Sequence, residues 1–161
     1  FLKKYDNLIL LHFDAHADLR NGYHGEHYSH ASAIRRCLDQ ANLKVVSVGI
    51  RNISAEEIPF VEENRERIRI YWGKDKKKWD IDEIVSHLKD LPIYLTFDVD
   101  GFDSSVMPAT GTPEPGGLFW QDVIEIITAA RQVGTIAGAD INELAPLPCF
   151  HSCDFLVAKL T

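Results

Sequence analysis

Five short apolar segments rich in β-branched residues recur along the chain, and they constrain the fold more than any other feature of the sequence. They cover residues 8–13, 45–48, 68–72, 93–99 and 135–141. Near-continuous apolar strands are typical of a parallel sheet that is covered on both faces. Segments with helical spacing follow the strands, at residues 31–41, 55–65, 81–88, 120–133 and 155–160. This alternation predicts an α/β fold, a doubly wound and mostly parallel sheet with helices on both faces.

Two of the predicted helices carry a start signal. Ser54 followed by Glu57 has the pattern of a capping box, in which the glutamate side chain reaches back to the serine amide. Asp80 followed by Glu83 is a weaker version of the same pattern. Each pair therefore predicts that a helix begins directly after its first residue.

Composition excludes several classes of function. The chain has 161 residues, enough for one domain with its own core, and its net charge is -7. That charge argues against nucleic acid or an anionic membrane surface as a partner. No apolar run approaches the roughly 20 residues that a membrane span needs. The three cysteines are too few for a secreted disulfide framework, so we expect a cytoplasmic protein.

Three loops follow the carboxyl ends of predicted strands, where ligands bind in open α/β sheets, at residues 14–29, 98–118 and 143–153. Asp14, His16 and Asp18 alternate at the exit of the first strand, so their side chains converge. Asp98 and Asp100 follow the fourth strand. A single Asp-x-Asp pair is more often a turn. Two such clusters at strand exits instead predict a metal site, and carboxylates with one imidazole suit manganese better than zinc.

Three other features do not indicate a further metal site. Residues 98–103 fail as a calcium loop, because Gly101 is at the fourth position instead of the sixth. Cys149 and Cys153 lack the second pair of ligands that a zinc site needs. We expect His12, which lies inside the first strand, to be a buried histidine that supports the site.

Several segments resemble the signatures of the ureohydrolase family, which contains arginases, agmatinases and formiminoglutamases. They are Phe-Asp-Ala-His-Ala-Asp at 13–18, Thr-Phe-Asp-Val-Asp-Gly-Phe-Asp at 96–103 and Pro-Ala-Thr-Gly-Thr-Pro at 108–113, with further matches at 114–118 and 138–146. The resemblance covers nearly the whole chain. It implies one arginase-like domain over residues 1–161, truncated at both ends, and a homo-oligomer that is a trimer or a hexamer.

The resemblance also implies the ligands of two manganese ions. Asp14 and Asp98 would bridge the ions. Asp18 would complete one site, while His16 and Asp100 would complete the other. The family takes one more histidine from an upstream Gly-Gly-Asp-His segment, and no such segment occurs in this chain. One site is therefore expected to lack a ligand here.

By the same resemblance, His30, Glu143 and Asp18 are catalytic. His30 matches the histidine that passes protons to the leaving amine, and imidazole suits that task at neutral pH. Glu143 matches the glutamate that pairs with the guanidinium group of the substrate. Thr112 is expected to line the substrate pocket. The implied reaction is the hydrolysis of a small cationic guanidino compound.

Two positions bear on the choice of substrate. Arg20 stands where arginases carry an asparagine that helps to hold the substrate carboxylate, and Ser54 stands where they use an acid for the α-amino group. Both differences favour the agmatinase branch of the family, which converts agmatine to putrescine and urea. Arg20 would also suit a guanidino acid. Arginine and formiminoglutamate are further alternatives.

Two alternatives belong to other classes of protein. Zinc-dependent deacetylases have a similar fold, but they favour a pair of histidines in the active centre, which this sequence does not show. The other alternative is an inactive metal-binding or regulatory module, which the missing upstream histidine would explain. The presence of His30 and of five ligand candidates argues against such decay.

Overall fold

One five-stranded sheet organises the chain, with its strands in the order β3-β2-β1-β4-β5. The computed structural model describes all of residues 1–161. The strands are β1 (Ile9–Phe13), β2 (Lys44–Ile50), β3 (Ile68–Trp72), β4 (Pro92–Asp98) and β5 (Thr135–Asn142). The helices are α1 (Ala33–Leu38), α2 (Ile58–Glu63), α3 (Ile81–Ser86), α4 (Trp120–Val133) and α5 (His151–Leu160). Every strand pair is parallel, and the predicted α/β class is confirmed.

Each face of the sheet packs against its own hydrophobic core, because the central strands are apolar on both sides. In β1, Leu10 belongs to one core and Leu11 to the other. Helices α1 and α2 pack on the first core, in which Ile34 is buried. Helices α3 and α4 pack on the second through Ile84 and Ile126. Each such side chain contributes about 1.5–3 kcal/mol by burial, so the two cores together hold the ends of the strands in place.

The chain changes its direction across the sheet between β3 and β4. From β1 it moves outward through β2 to β3, and then it crosses to β4 on the other side of β1. The carboxyl ends of β1 and β4 are adjacent, with Phe13 opposite Phe97. The loops after two such strands lead to opposite faces, which opens a crevice between them where ligands bind. The predicted metal ligands come from these two loops.

The first two helices begin later than expected. A 3-10 turn, His30–Ser32, precedes α1, so this helix is shorter than the expected residues 31–41. Helix α2 begins at Ile58 instead of near residue 55, and residues 55–57 form a turn before it. Glu57 reaches back to the Ser54 amide as the pattern predicts, but this contact closes the turn and does not start the helix.

The last helix begins earlier than expected, and the Asp80 signal is confirmed. Helix α5 starts at His151 instead of residue 155, since its first turn lacks the apolar spacing that predicts a helix. The Asp80 side chain accepts a hydrogen bond from the Asp82 amide at the start of α3. None of the helices combines the length and apolarity required to cross a lipid bilayer.

Candidate metal centre and active site

A cavity of about 710 Å³ opens at the carboxyl ends of the strands. Its wall is formed by residues that follow β1, β2, β4 and β5. Nine residues were predicted from the sequence to bind metal or substrate, and all of them line it: Asp14, His16, Asp18, Arg20, His30, Asp98, Asp100, Thr112 and Glu143. The structure therefore brings the predicted site together, while the role of each residue stays a prediction.

Asp14, His16 and Asp100 form the tightest group in this cavity. One potential ligand atom of each lies within 4.8 Å of the other two. His16 Nδ1 is 3.0 Å from Asp100 Oδ2 and 3.5 Å from Asp14 Oδ1. The Ala15 amide donates a hydrogen bond of 3.0 Å to Asp100 Oδ1. The loops after β1 and β4 are thus joined directly through the side chains that are predicted to hold a metal.

Asp14 is buried and is held as an anion by two histidines. His12 Nε2 lies 2.9 Å from Asp14 Oδ2, while His12 Nδ1 lies 3.1 Å from Ser47 Oγ. The His16 amide donates to Asp14 Oδ1 at 2.6 Å. Burial acts to raise the pKa of Asp14, but the hydrogen bonds with His12 and His16 outweigh burial and hold this pKa well below its usual range. His12 therefore orients a predicted ligand from behind, as expected.

Asp18 and Asp98 lack such compensation. They line the cavity outside the tight group of three. Burial, together with the negative charge of Asp14, raises the pKa of Asp18 to about 7 and that of Asp98 to about 9. The charge of Asp100 acts in the same direction on both. Four carboxylates therefore converge where there is too little positive charge to neutralise them.

A divalent cation would correct this imbalance of charge. The hydrogen bonds with Asp100 and Asp14 raise the pKa of His16 to about 10, so that in the metal-free protein protons on His16 and Asp98 offset the carboxylates. Metal ions displace such protons from their ligands. Carboxylate oxygens and an imidazole nitrogen are suitable donors for a divalent ion of the first transition row. The residues present thus fit a metal centre.

His30 lies beside an aromatic residue that the sequence did not single out. The ring of Tyr23 meets that of His30 edge-on, with 5.7 Å between their centroids. The Arg20 guanidinium lies 4.8 Å from the centre of the Tyr23 ring. Arg20 also pairs with Glu56, at 3.3 Å. A two-residue turn at 24–25 with positive φ at both positions presents Tyr23 to the cavity, where it connects Arg20 with His30.

Two of the predicted site residues have a strained backbone. Glu143 directly follows β5 and has a φ of 64°, and Asp18 has a φ of 54°. This left-handed region is uncommon for residues other than glycine. Such strain, which costs on the order of 1–3 kcal/mol, is found mainly at functional sites. Burial is the main cause of the raised pKa of Asp98, and Glu143 adds to it, so the charge of Glu143 acts on the metal centre.

Thr112 lines the cavity as expected, but it contacts a predicted ligand. Its hydroxyl donates to Asp100 Oδ2 at 3.1 Å. Asp100 therefore has partners on both carboxylate oxygens, the Ala15 amide on Oδ1 and Thr112 and His16 on Oδ2. Thr112 thus supports a predicted ligand, and its contact with the substrate stays a prediction.

Asp103, Cys149 and Cys153 do not line the cavity. Asp103 Oδ2 instead accepts hydrogen bonds from the Gly116 and Gly117 amides, at 2.6 and 2.9 Å, and so fixes a loop. Cys149 is exposed and Cys153 is buried, and both are free thiols. Neither cysteine belongs to the cluster of potential ligands formed by Asp14, His16 and Asp100.

Residues after β2 also build the site, although the sequence pointed only to the loops after β1, β4 and β5. Glu57 is buried, and its Oε1 accepts from the Leu19 amide at 2.8 Å. Its Oε2 accepts from the Ser54 amide and hydroxyl, at 2.7 and 2.6 Å. Arg51, which also follows β2, donates hydrogen bonds to main-chain carbonyl groups of the segment after β4. No local pattern signals the contact between Glu57 and the Leu19 amide, because the two residues are 38 positions apart in sequence.

The fold and the cavity define the class of the protein: an α/β domain with a carboxylate-rich candidate metal centre at the switch point of a parallel sheet. The family model of the arginase family matches residues 1–161, and the chain belongs to this family. It is 34% identical over 154 residues to the N(1)-aminopropylagmatine ureohydrolase of Synechocystis sp., covering 94% of the chain and 49% of that protein. It is 36% identical over 150 residues to the agmatinase of Pyrococcus horikoshii, covering 92% and 51%.

A solved structure supports the same assignment. The crystal structure of a putative agmatinase from Clostridium difficile matches with a TM-score of 0.84 and 34% identity. The match covers 99% of this chain and 57% of that one. The chain thus spans about half the length of the curated relatives that it matches. The predicted family and arginase-like fold are confirmed.

Proposed function

We propose that the chain is part of a manganese-dependent amidinohydrolase that converts agmatine and water to putrescine and urea. The observation that carries this proposal is the shared cavity, in which the acidic metal centre stands beside Glu143 and His30. The agmatinases and ureohydrolases among the relatives support it. We also propose a homo-oligomer, from family resemblance alone, and a cytoplasmic location, from the small number of cysteines.

The residues of the chain divide the work of the reaction. Two manganese ions, when held by the predicted ligands, supply Lewis-acid activation of the attacking water. Glu143 meets the guanidinium with a planar carboxylate and fixes its orientation. The water oxygen bonds to the guanidino carbon and the bond from this carbon to the alkylamine nitrogen breaks. Both protons of the water end on that nitrogen, which leaves as the ammonium group of putrescine, and His30 delivers one of them as the amine leaves.

The wall of the cavity favours a substrate with a cationic tail over one with a carboxylate. The charge of Arg20 is already engaged by Glu56 and by the ring of Tyr23. The Ser54 hydroxyl is bound to Glu57, so this position offers no free acid for an α-amino group. Agmatine requires neither an anion site nor an α-amino site. Guanidino acids, arginine and formiminoglutamate are therefore weaker candidates.

N(1)-aminopropylagmatine is a second candidate substrate. The Synechocystis relative is a ureohydrolase named for this compound. The cavity of about 710 Å³ falls in the range of about 300–1,000 Å³ that is typical of sites for larger organic ligands. It thus has room for the additional aminopropyl group. The same chemistry at the guanidino carbon would serve both substrates.

The test is urea release with added manganese, measured for the chain and for a version extended upstream. Agmatine, N(1)-aminopropylagmatine, 4-guanidinobutyrate and arginine are compared, and formiminoglutamate is followed by its own product. We expect urea from agmatine or its aminopropyl derivative and none from the two acids. Faster turnover of 4-guanidinobutyrate than of either amine would reject the proposed substrate class.

His30→Ala tests the proposed proton donor. We expect urea release to fall roughly 10²- to 10⁴-fold, as for the loss of a general acid, while bound manganese is unchanged by elemental analysis. His151→Ala is the matched control, because the side chain of His151 is 91% exposed on α5 and does not line the cavity. Equal rates in the two variants would remove His30 from the mechanism.

A further inference from the structure

Arg51, which directly follows β2, donates all of its hydrogen bonds to main-chain carbonyl groups. The acceptors are the carbonyl oxygens of Gly49, Asp100, Gly101, Phe102, Glu114 and Pro115, at 2.7–3.5 Å. The shortest of these bonds joins Nη2 to Asp100 O, at 2.7 Å. One side chain therefore connects the end of β2 with the loop after β4 and with the segment around Glu114.

The surroundings of this guanidinium are closely packed. A Cβ atom at Gly117 would lie 2.7 Å from Arg51 Nη2, and one at Gly73 would lie 3.4 Å from Arg51 Cδ. Arginine has five N–H donors in a rigid planar fork, whereas lysine has three donors at a single point. Only the arginine fork can serve acceptors from all three segments at once.

The hydrogen bond to the Asp100 carbonyl group connects Arg51 with the candidate metal centre. The Asp100 main chain is held by Arg51, while its carboxylate contacts the Ala15 amide and His16 in the loop after β1. We propose that Arg51 is a positioning residue, which fixes the Asp100 carboxylate at its distance from Asp14 and His16. The role in metal binding rests on the proposed function, whereas the positioning of Asp100 can be measured without metal.

Arg51→Lys is the test variant, since it keeps the positive charge and loses the fork. Arg67→Lys is its matched control. Arg67 also donates to three carbonyl groups, those of Leu38, Gln40 and Leu43, but it precedes β3 at the amino end of the sheet. Hydrogen exchange of the metal-free chain is read at the Ala15 amide, which reports whether the Asp100 carboxylate is in place.

We expect Arg51→Lys to accelerate exchange at Ala15 by roughly tenfold or more relative to the parent chain, through a lower cost of local opening. Arg67→Lys should leave this amide unchanged. In manganese titrations of the variants, affinity should fall in Arg51→Lys by roughly 10- to 100-fold, the usual effect of losing a group that orients a ligand. Arg67→Lys should bind manganese like the parent.

Equal exchange at Ala15 in the two variants would overturn the proposal, and so would a loss of cooperative folding in Arg51→Lys alone. The parent chain provides a measurement that needs no variant. Because Arg51 joins their segments, the amides of Ala15, Gly116 and Gly117 should exchange through one shared opening. If the exchange rates of these three amides depended differently on denaturant concentration, they would not share one opening. A parent chain that bound no manganese would count against the proposed function. The role of Arg51 would then be decided by hydrogen exchange at Ala15, which needs no metal.

Discussion

Gly101→Ala should disturb the contact between the two halves of the candidate metal centre. Gly101 lies in the turn after β4, and its backbone packs against the end of β1. An added Cβ would lie 3.0 Å from Asp14 N, 3.2 Å from Phe13 C and 3.3 Å from Asp14 Cα. Carbon atoms are in favourable contact at about 3.5–4.0 Å, so the two segments must separate by roughly half an ångström.

Neither segment can move without loss. Phe13 and Asp14 are buried, and the Asp14 amide is bound to Val48 O at 3.3 Å. Overpacking of this kind costs about 1–3 kcal/mol, and in a chain of this size each kcal/mol lowers the melting temperature by roughly 2–4 °C. Because Asp14 is a predicted ligand, we also expect manganese affinity to fall by roughly 10- to 100-fold.

Gly111→Ala is the control for this experiment. Gly111 lies in the cavity wall, and a Cβ there would meet no atom within 4 Å. Both substitutions make the unfolded chain less flexible, a gain of about 0.4–1 kcal/mol, so the difference between them isolates the contact at Asp14. Urea denaturation gives the free energy of unfolding, and calorimetric titration gives manganese affinity. If Gly101→Ala and Gly111→Ala agree in both, the close approach of the two segments is not what holds Asp14 in place.

Two further predictions concern charge. Hydrogen bonds from Ser105, then from the Gly117 and Gly116 amides, lower the pKa of Asp103 to about 2. The Asp103 carboxylate therefore contributes fully to stability above its usual pKa of about 3.9. This contribution is lost as the pH falls toward 2. Asp103→Asn should therefore be less stable than the parent at neutral pH, and the difference in their free energies of unfolding should narrow below about pH 4. A difference that stays constant from pH 7 to pH 3 in urea denaturation would refute this. Removal of manganese by a chelator should lower the free energy of unfolding by about 2.7 kcal/mol relative to manganese at a hundred times its dissociation constant. An unchanged urea midpoint on chelation would contradict manganese binding by the native chain.

The strands and the place of the site could be predicted because each depends on a local pattern. Consecutive residues of a strand point to opposite faces of the sheet. Because Leu10 and Leu11 are both apolar, they indicate a sheet that is covered on both faces. Parallel strands bring the residues that follow their carboxyl ends to one edge. That rule alone places Asp14 and Asp98 at a common cavity, as the structure shows.

Arg51 and Glu57 could not be predicted to support the site, because they bind main-chain groups far away in the sequence. Arg51 is bound to the carbonyl group of Asp100, 49 residues away, and to that of Glu114, 63 residues away. Glu57 illustrates a conflict between two functions of one side chain. It reaches back to the Ser54 amide, as the local pattern predicts, but its other oxygen holds the Leu19 amide.

Electrostatic repulsion explains why so many contacts join the segment after β1 to the segment after β4. Asp14 and Asp18 follow β1, while Asp98 ends β4 and Asp100 comes shortly after it, and like charges on neighbouring segments push these segments apart. Burial, and after it the negative charge of Asp14, raises the pKa values of Asp18 and Asp98, so the charge of Asp14 acts on both carboxyl groups.

The chain opposes this repulsion with contacts that are independent of a metal. The Ala15 amide and His16 bind Asp100 from one side, and the Arg51 guanidinium brings a positive charge and a bond to Asp100 O from the other. Gly101 allows the two backbones to approach closely. A site that is kept together in this way is ready for a cation before the cation binds. The free energy of binding can then be used to displace protons instead of assembling the ligands.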